Sequence, residues 1–257
     1  MPRLNEAPVG TLRAKAALVL SLAAAAAACT ETALAPPVLE EVCALEGDDC
    51  PSGVFAGEEA ILVIRGSGLF QGFSCDLGDG DPLPLAGAFA AWVGERPVER
   101  LVPEVYAGAK TEALRGYLAP GLRVGLHSLR VRAPSGQAAS LSDAFMVANP
   151  LSLDGAVSDP YPPEGGALVL SISIRNLGRA LLGELRLSFS ESGGGDLDLP
   201  GVQALEPLSA LGTRTLSFEI PARRQGRVDL TLFIQAEVAG AVPLEAEAQW
   251  RIQVTAP

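Results

Sequence analysis

Apolar and polar residues alternate with period two along most of the second half of the chain. In ALVLSISIR, Leu168, Leu170, Ile172 and Ile174 alternate with Val169, Ser171, Ser173 and Arg175, which predicts a strand with one buried and one mostly polar face. The pattern returns in ELRLSF (Leu185, Leu187, Phe189), TLSFEI (Leu216, Phe218, Ile220), VDLTLFI (Val228, Leu230, Leu232, Ile234) and EAEAQWRIQV (Ala246, Ala248, Trp250, Ile252, Val254). Turn signals separate these runs at Asn176-Leu177-Gly178, Gly193-Gly194-Gly195, Gly212, Gly226 and Gly240.

About seven strands at this spacing predict an antiparallel β-sandwich of immunoglobulin type over residues 149–257. GGALVLSISIRNLGRALLGELRLSF followed by LEPLSALGTRTLSFEI resembles the CARDB-like bacterial Ig-like modules, in which a strand ends in N-x-G and an L-x-x-L-x-x-G turn precedes a later strand. Residues 38–148 read as a first module. There GEEAILVIRGSGLF (57–70), AAWVGERPVERL (90–101) and GLHSLRVRAPSGQAASLSDAFMV (125–147) resemble the IPT/TIG Ig-like domain. Ile64, Gly66, Gly68 and Phe70 match its first element with Leu69 as an extra residue, and Gly125, His127, Leu129, Val131 and Gly136 match its hairpin. Residues 71–88 read as an inserted loop. NPLSL, at 149–153, is a joint whose shortness and Pro150 imply a restricted angle. The expected fold is therefore all-β, with two tandem Ig-like β-sandwiches.

A different pattern precedes both modules. Arg3, Arg13 and Lys15 stand against the single acid Glu6, and an almost wholly apolar segment follows at 16–28. This is the plan of an export signal peptide, too short for the roughly 20 residues that a membrane-spanning helix needs. Ala26-Ala27-Ala28-Cys29 resembles the lipobox of bacterial lipoproteins, with Ala26 where that family usually has leucine. The resemblance implies cleavage before Cys29, acylation of its thiol and amine, and a tether at 29–37. Acyl chains contribute about 0.8 kcal/mol per buried methylene, so several of them make a lasting anchor. Thr30 behind the cysteine implies, by the same resemblance, sorting to the outer membrane, on its periplasmic face or at the cell surface. An unmodified thiol at Cys29 in a secreted protein is the other reading.

Charge narrows the partners. The chain carries a net charge of −11, and loss of residues 1–28 would make it more negative still. That sign repels phosphate backbones, so nucleic acid is not an expected partner. The cysteines Cys43, Cys50 and Cys75 are an odd set in an oxidising compartment. Cys43 and Cys50 bracket the turn-prone ALEGDD and are the first choice for a disulfide, with Cys75 as the alternative partner of either. If Cys29 is unmodified, two disulfides become possible.

Candidate chemistry is sparse. His127 is the only histidine, and no nucleophile elbow, zinc-protease or P-loop motif is present. No catalytic residue, cofactor or histidine metal site is expected, and His127 reads as a strand residue satisfied by nearby backbone. Asp76, Asp79 and Asp81 in CDLGDGD form a solvated acidic turn or, as the alternative, a Ca²⁺ site. Trp92, Trp250, Phe145, Tyr106 and Tyr117 read as core aromatics, with a ligand platform as the other reading. The expected function is that of a non-catalytic envelope lipoprotein, a binding or spacer module acting through protein or glycan contacts in adhesion or envelope organisation. The alternative is an accessory subunit of an outer-membrane or export assembly.

Overall fold

The structure, a computed structural model, describes residues 36–46, 49–70, 88–104, 112–193, 196–238 and 242–257. The signal segment 1–28, Cys29 and most of the tether, Cys75, Asp76, Asp79, Asp81 and Tyr106 lie outside the described residues. Within them the chain is all-β.

The first eight strands form one sheet. They are β1 (Val38–Ala44), β2 (Gly53–Phe55), β3 (Ala60–Ser67), β4 (Ala90–Val93), β5 (Arg96–Glu104), β6 (Glu112–Leu118), β7 (Gly125–Arg132) and β8 (Ala138–Ala148). Their spatial order is β1-β3-β6-β5-β4-β7-β8-β2. Every pairing is antiparallel except that of β2 with β8. The sequence predicts an Ig-like β-sandwich here, and the structure hydrogen-bonds all eight strands into one sheet, which bends over at β5. The bend has a local cause. The β5–β6 register shifts between Glu99 and Val102, where Arg100 takes a left-handed φ of 52°, as a β-bulge does when it bends a strand. Val98, just before the bulge, pairs with Ala91 of β4 and with Leu118 of β6. The fold brings Leu62, Ile64, Leu114 and Leu118 from one limb into the same buried cluster as Val93, Leu129, Val131 and Phe145 from the other.

Strands β9 (Leu151–Val157), β10 (Ala167–Asn176), β11 (Leu185–Gly193), β12 (Asp196–Leu197), β13 (Gln203–Leu205), β14 (Thr213–Arg224), β15 (Gly226–Val238) and β16 (Val242–Val254) build the second module. Two four-stranded sheets form, β12-β14-β10-β9 and β13-β11-β15-β16. The predicted faces are the buried ones: Leu168, Leu170, Ile172 and Ile174 of β10 lie in one core with Val228, Leu230, Leu232 and Ile234 of β15. Phe189 of β11 meets Phe218 of β14 edge to face at 5.0 Å, linking the two sheets. Along one side Trp250 of β16 donates its indole N–H to the Gly155 carbonyl of β9 at 3.3 Å.

Asn176 is the buried polar side chain among the described residues, and its contacts explain why the N-x-G turn works. Its amide donates to the carbonyls of Ala180 at 2.8 Å and Ser209 at 3.0 Å, and its Oδ1 accepts the Gly178 N–H at 3.0 Å. One side chain thus ties the turn after β10 to the turn before β14.

The joint is shorter than the 149–153 segment suggests, because β9 already begins at Leu151. Only Asn149 and Pro150 separate it from β8. Asn149 accepts the Leu151 N–H at 3.0 Å and donates to the Glu245 carbonyl at 2.8 Å, so this linker is itself pinned to β16.

Candidate functional site

Residues of the two modules come together at the joint. There a half-open groove of about 650 Å³ is lined by the end of β1, the segment through β2, Ile61, Tyr117, Met146 and, from the second module, Arg179. Its geometry starts with a disulfide: Cys43 and Cys50 are joined, with Cα atoms 5.1 Å apart. The bridge packs with Val63 and Ala113 on the outer side of the sheet. Inside the closed loop, Glu46 and Asp49 exchange backbone hydrogen bonds of 2.9 and 3.0 Å. This loop leads from one edge strand, β1, to the other, β2, and the Ala44 N–H donates to the Pro51 carbonyl at 2.8 Å.

Glu46, held out by that loop, forms an ion pair with the Arg179 guanidinium across the joint. Glu58 meets the same residue at a different atom. Its Oε1 accepts the Arg179 backbone N–H at 2.5 Å, while its Oε2 accepts the Phe55 N–H at 3.3 Å. Gly57, beside it, has φ +85°, and a Cβ there would strike the Val238 side chain of β15. Gly178 is tight but less crowded: a Cβ would stand 3.1 Å from Glu58 Oε1 and 3.1 Å from Pro150 Cβ. The Leu177 N–H donates to the Pro150 carbonyl at 2.7 Å. Apart from the small group of Val63 and Ala113 around the disulfide, the core residues of both modules form one connected cluster.

Magnitudes rank these contacts. The Glu46–Arg179 side chains are more than half exposed, so their ion pair contributes about 0–1 kcal/mol. The carboxylate-to-amide bond from Glu58 is charge-assisted and worth about twice a neutral one. Close packing of Gly57 and Gly178 against the neighbouring module forbids sliding, because overpacking costs about 1–3 kcal/mol.

At the groove's rim the Tyr117 hydroxyl donates to Glu59 Oε2 at 2.6 Å. That hydrogen bond, with smaller contributions from burial and from the charges of Glu59 and Glu99, pushes the phenol above its ordinary value. Three exposed leucines sit just across the joint: Leu177, Leu181 and Leu211, the last 67% exposed at φ +54°. The Leu211 N–H donates to the Gly178 carbonyl at 3.0 Å, which places this turn beside the joint.

The sequence candidates distribute unevenly. His127 lies on β7, and its Nε2 is 2.7 Å from the Arg123 carbonyl. Phe145 is fully buried in the first core. Trp250 is half-buried against the second core. Trp92 departs from the expectation of a core residue: β4 turns Ala91 and Val93 inward, so Trp92 faces outward with Arg130 stacked over its ring at 4.4 Å. Among the described residues no group of three or more His, Cys, Asp or Glu side chains could hold a metal ion. Sequence reasoning missed Glu46, Glu58 and Arg179 as partners, because each lies in a stretch read for its strands or turns and Arg179 is 133 and 121 positions from the two glutamates.

No protein-family model matches the chain, and no curated protein matches its sequence. Solved structures do resemble it at low identity. A mutant of Salmonella alpha-2-macroglobulin aligns with 12% identity and TM-score 0.37, covering 86% of this chain and 16% of that one. Red sea bream transglutaminase aligns with 11% identity and TM-score 0.42, covering 87% and 32%. The Yersinia pseudotuberculosis adhesin InvE aligns with 13% identity and TM-score 0.30, covering 85% and 58%. The chain thus spans less than two thirds of the length of each of these proteins.

Proposed function

We propose that the chain is a non-catalytic binding or spacer module of the bacterial cell envelope, held by acyl chains on Cys29, with an IPT/TIG-like module followed by a CARDB-like one. The observation that carries this reading is the clamped joint: Arg179 is gripped through its backbone by Glu58 and through its side chain by Glu46. A device that holds a recognition surface away from a membrane needs such a fixed angle, because a free hinge loses that placement.

Strand polarity supports the same reading. Ala44, at the end of β1, lines the groove beside Arg179, whereas Val38, at its start, pairs with Ser67 of β3. Seven residues of strand span about 20 Å, so the tether enters the first module at the end away from the second. The second module then stands outermost, and its loops reach partners of protein or glycan type.

The anchor is tested by detergent partitioning. Cys29→Ser is expected to move the protein from the detergent to the aqueous phase, and unchanged partitioning would refute acylation. A second reading, a subunit clamped in a larger outer-membrane or export assembly, is favoured by the exposed leucines Leu177, Leu181 and Leu211 beside the joint. Co-purification at fixed stoichiometry after gentle extraction would select it.

A further inference from the structure

The outer face of the first module carries a second feature, independent of the joint. Trp92 of β4 pairs with Arg130 of β7 and with Pro97 of β5, and Arg130 pairs with Ser140 of β8. Pro97, Trp92, Arg130 and Ser140 therefore form one row across four strands, about 14 Å long at ordinary strand spacing. Arg132 follows two residues later on the same face, about 7 Å along the strand, flanked by Ala90 and Ala138. Both guanidinium groups approach the Trp92 ring, Arg130 at 4.4 Å and Arg132 at 5.9 Å, and both arginines are exposed.

Not every arginine of this chain has an acidic partner. Arg65, Arg115, Arg179, Arg186, Arg223 and Arg251 each form an ion pair with a carboxylate. Among the described residues neither Arg130 nor Arg132 has one, although the chain is strongly acidic overall. Two like charges about 7 Å apart in water repel by roughly 0.6 kcal/mol. Contact with the half-buried indole of Trp92 offsets this with about 0.5–1 kcal/mol per guanidinium. A guanidinium over a ring face still has N–H donors to offer outward, in the fork geometry that matches the two oxygens of a carboxylate.

Building on the reading of this chain as a binding module, we infer that Trp92, Arg130 and Arg132 form a binding site for an acidic polysaccharide, through the carboxylates of its uronic-acid units. The surroundings favour a glycan over a peptide strand. β4 and β7 are hydrogen-bonded on both sides, so the face offers no free strand edge for peptide addition. It offers instead flat apolar area at Pro97, small neighbours at Ala90 and Ala138, and the Ser140 hydroxyl for sugar hydroxyls.

The test uses the full chain with Trp250→Phe, which leaves Trp92 as the sole indole of the two in the sequence. Oligogalacturonate, a neutral maltooligosaccharide of equal length and inorganic phosphate are titrated at constant ionic strength while indole fluorescence is followed. The site predicts a saturable change with oligogalacturonate alone, and binding at least about tenfold weaker in Arg130→Gln/Arg132→Gln. The two indole N–H resonances of the unsubstituted chain give the same readout without the Trp250 change. The inference is overturned by no response to oligogalacturonate, by an equal response to the neutral sugar or to phosphate, or by an unaltered response in the double variant. Such a failure, with Cys29→Ser still releasing the protein from the detergent phase, removes this site and leaves the envelope reading standing.

Discussion

The backbone N–H of Arg179 donates to the carboxylate of Glu58 across 2.5 Å, although the two residues are 121 positions apart in the chain. The same carboxylate accepts the Phe55 N–H, so it serves the turn after β2 and the turn after β10 together. Glu58→Ala leaves both amides without their acceptor. The expected loss is about 1–2 kcal/mol, below the full value for a buried charged acceptor because the site is partly wet. Denaturant titration gives the loss, and faster hydrogen exchange at the Arg179 amide locates it.

Gly57 of the first module packs against Val238 of the second with no room for a side chain. Gly57→Ala meets two obstacles, a backbone at φ +85° and the Val238 side chain in the path of the new Cβ. Their combined cost is expected to be about 2–4 kcal/mol. Val238→Ala in the same chain should relieve the steric part and leave the backbone part. A double-mutant cycle by thermal unfolding checks this, and strict additivity would show that the two residues do not touch.

The Cys43–Cys50 bridge closes a loop with a sequence separation of 7. A loop of that size constrains the unfolded chain by about 2.5 kcal/mol in the loop-entropy account. Cys43→Ala/Cys50→Ala should lose about that amount of stability, and reductant should then have no further effect on the variant. Because the loop also presents Glu46 to Arg179, the variant should unfold without the salt sensitivity contributed by that pair.

Tyr117 provides the pH-dependent element. Its hydrogen bond to Glu59 raises the phenol above 10.0 in the folded chain, so folding favours the protonated form. The stability this contributes is fully present below the ordinary tyrosine value and is lost as pH rises through the raised one. In Glu59→Gln the Tyr117 ionisation, followed by ultraviolet absorbance, should move down towards pH 10; an unmoved titration would remove Glu59 as its cause.

Strand faces were legible because burial on one side of a sheet imposes a period of two that local sequence carries. Leu168, Leu170, Ile172 and Ile174 of β10 and Val228, Leu230, Leu232 and Ile234 of β15 are all buried. The N-x-G signal marked a turn, but the carbonyl of Ser209 that Asn176 reaches belongs to a distant segment. The clamp was illegible for the same reason: Glu46 and Glu58 look like surface acids until the fold brings Arg179 to them. Trp92 misled because aromatic content signals burial only on average, and here the inward positions of β4 belong to Ala91 and Val93. The single bent sheet of the first module depends on the bulge around Arg100, for which ERPVERL carries no glycine cue.

A fixed angle between the modules is the claim on which the spacer reading stands, and residual dipolar couplings test it directly. Measured on the Cys29→Ser chain in a dilute aligning medium, amide couplings from β1–β8 and β9–β16 should fit one alignment tensor. In Glu46→Ala/Glu58→Ala the two sets should separate. Two tensors of unequal magnitude in the chain with both glutamates intact would mean that the modules swing freely, and the account would be wrong.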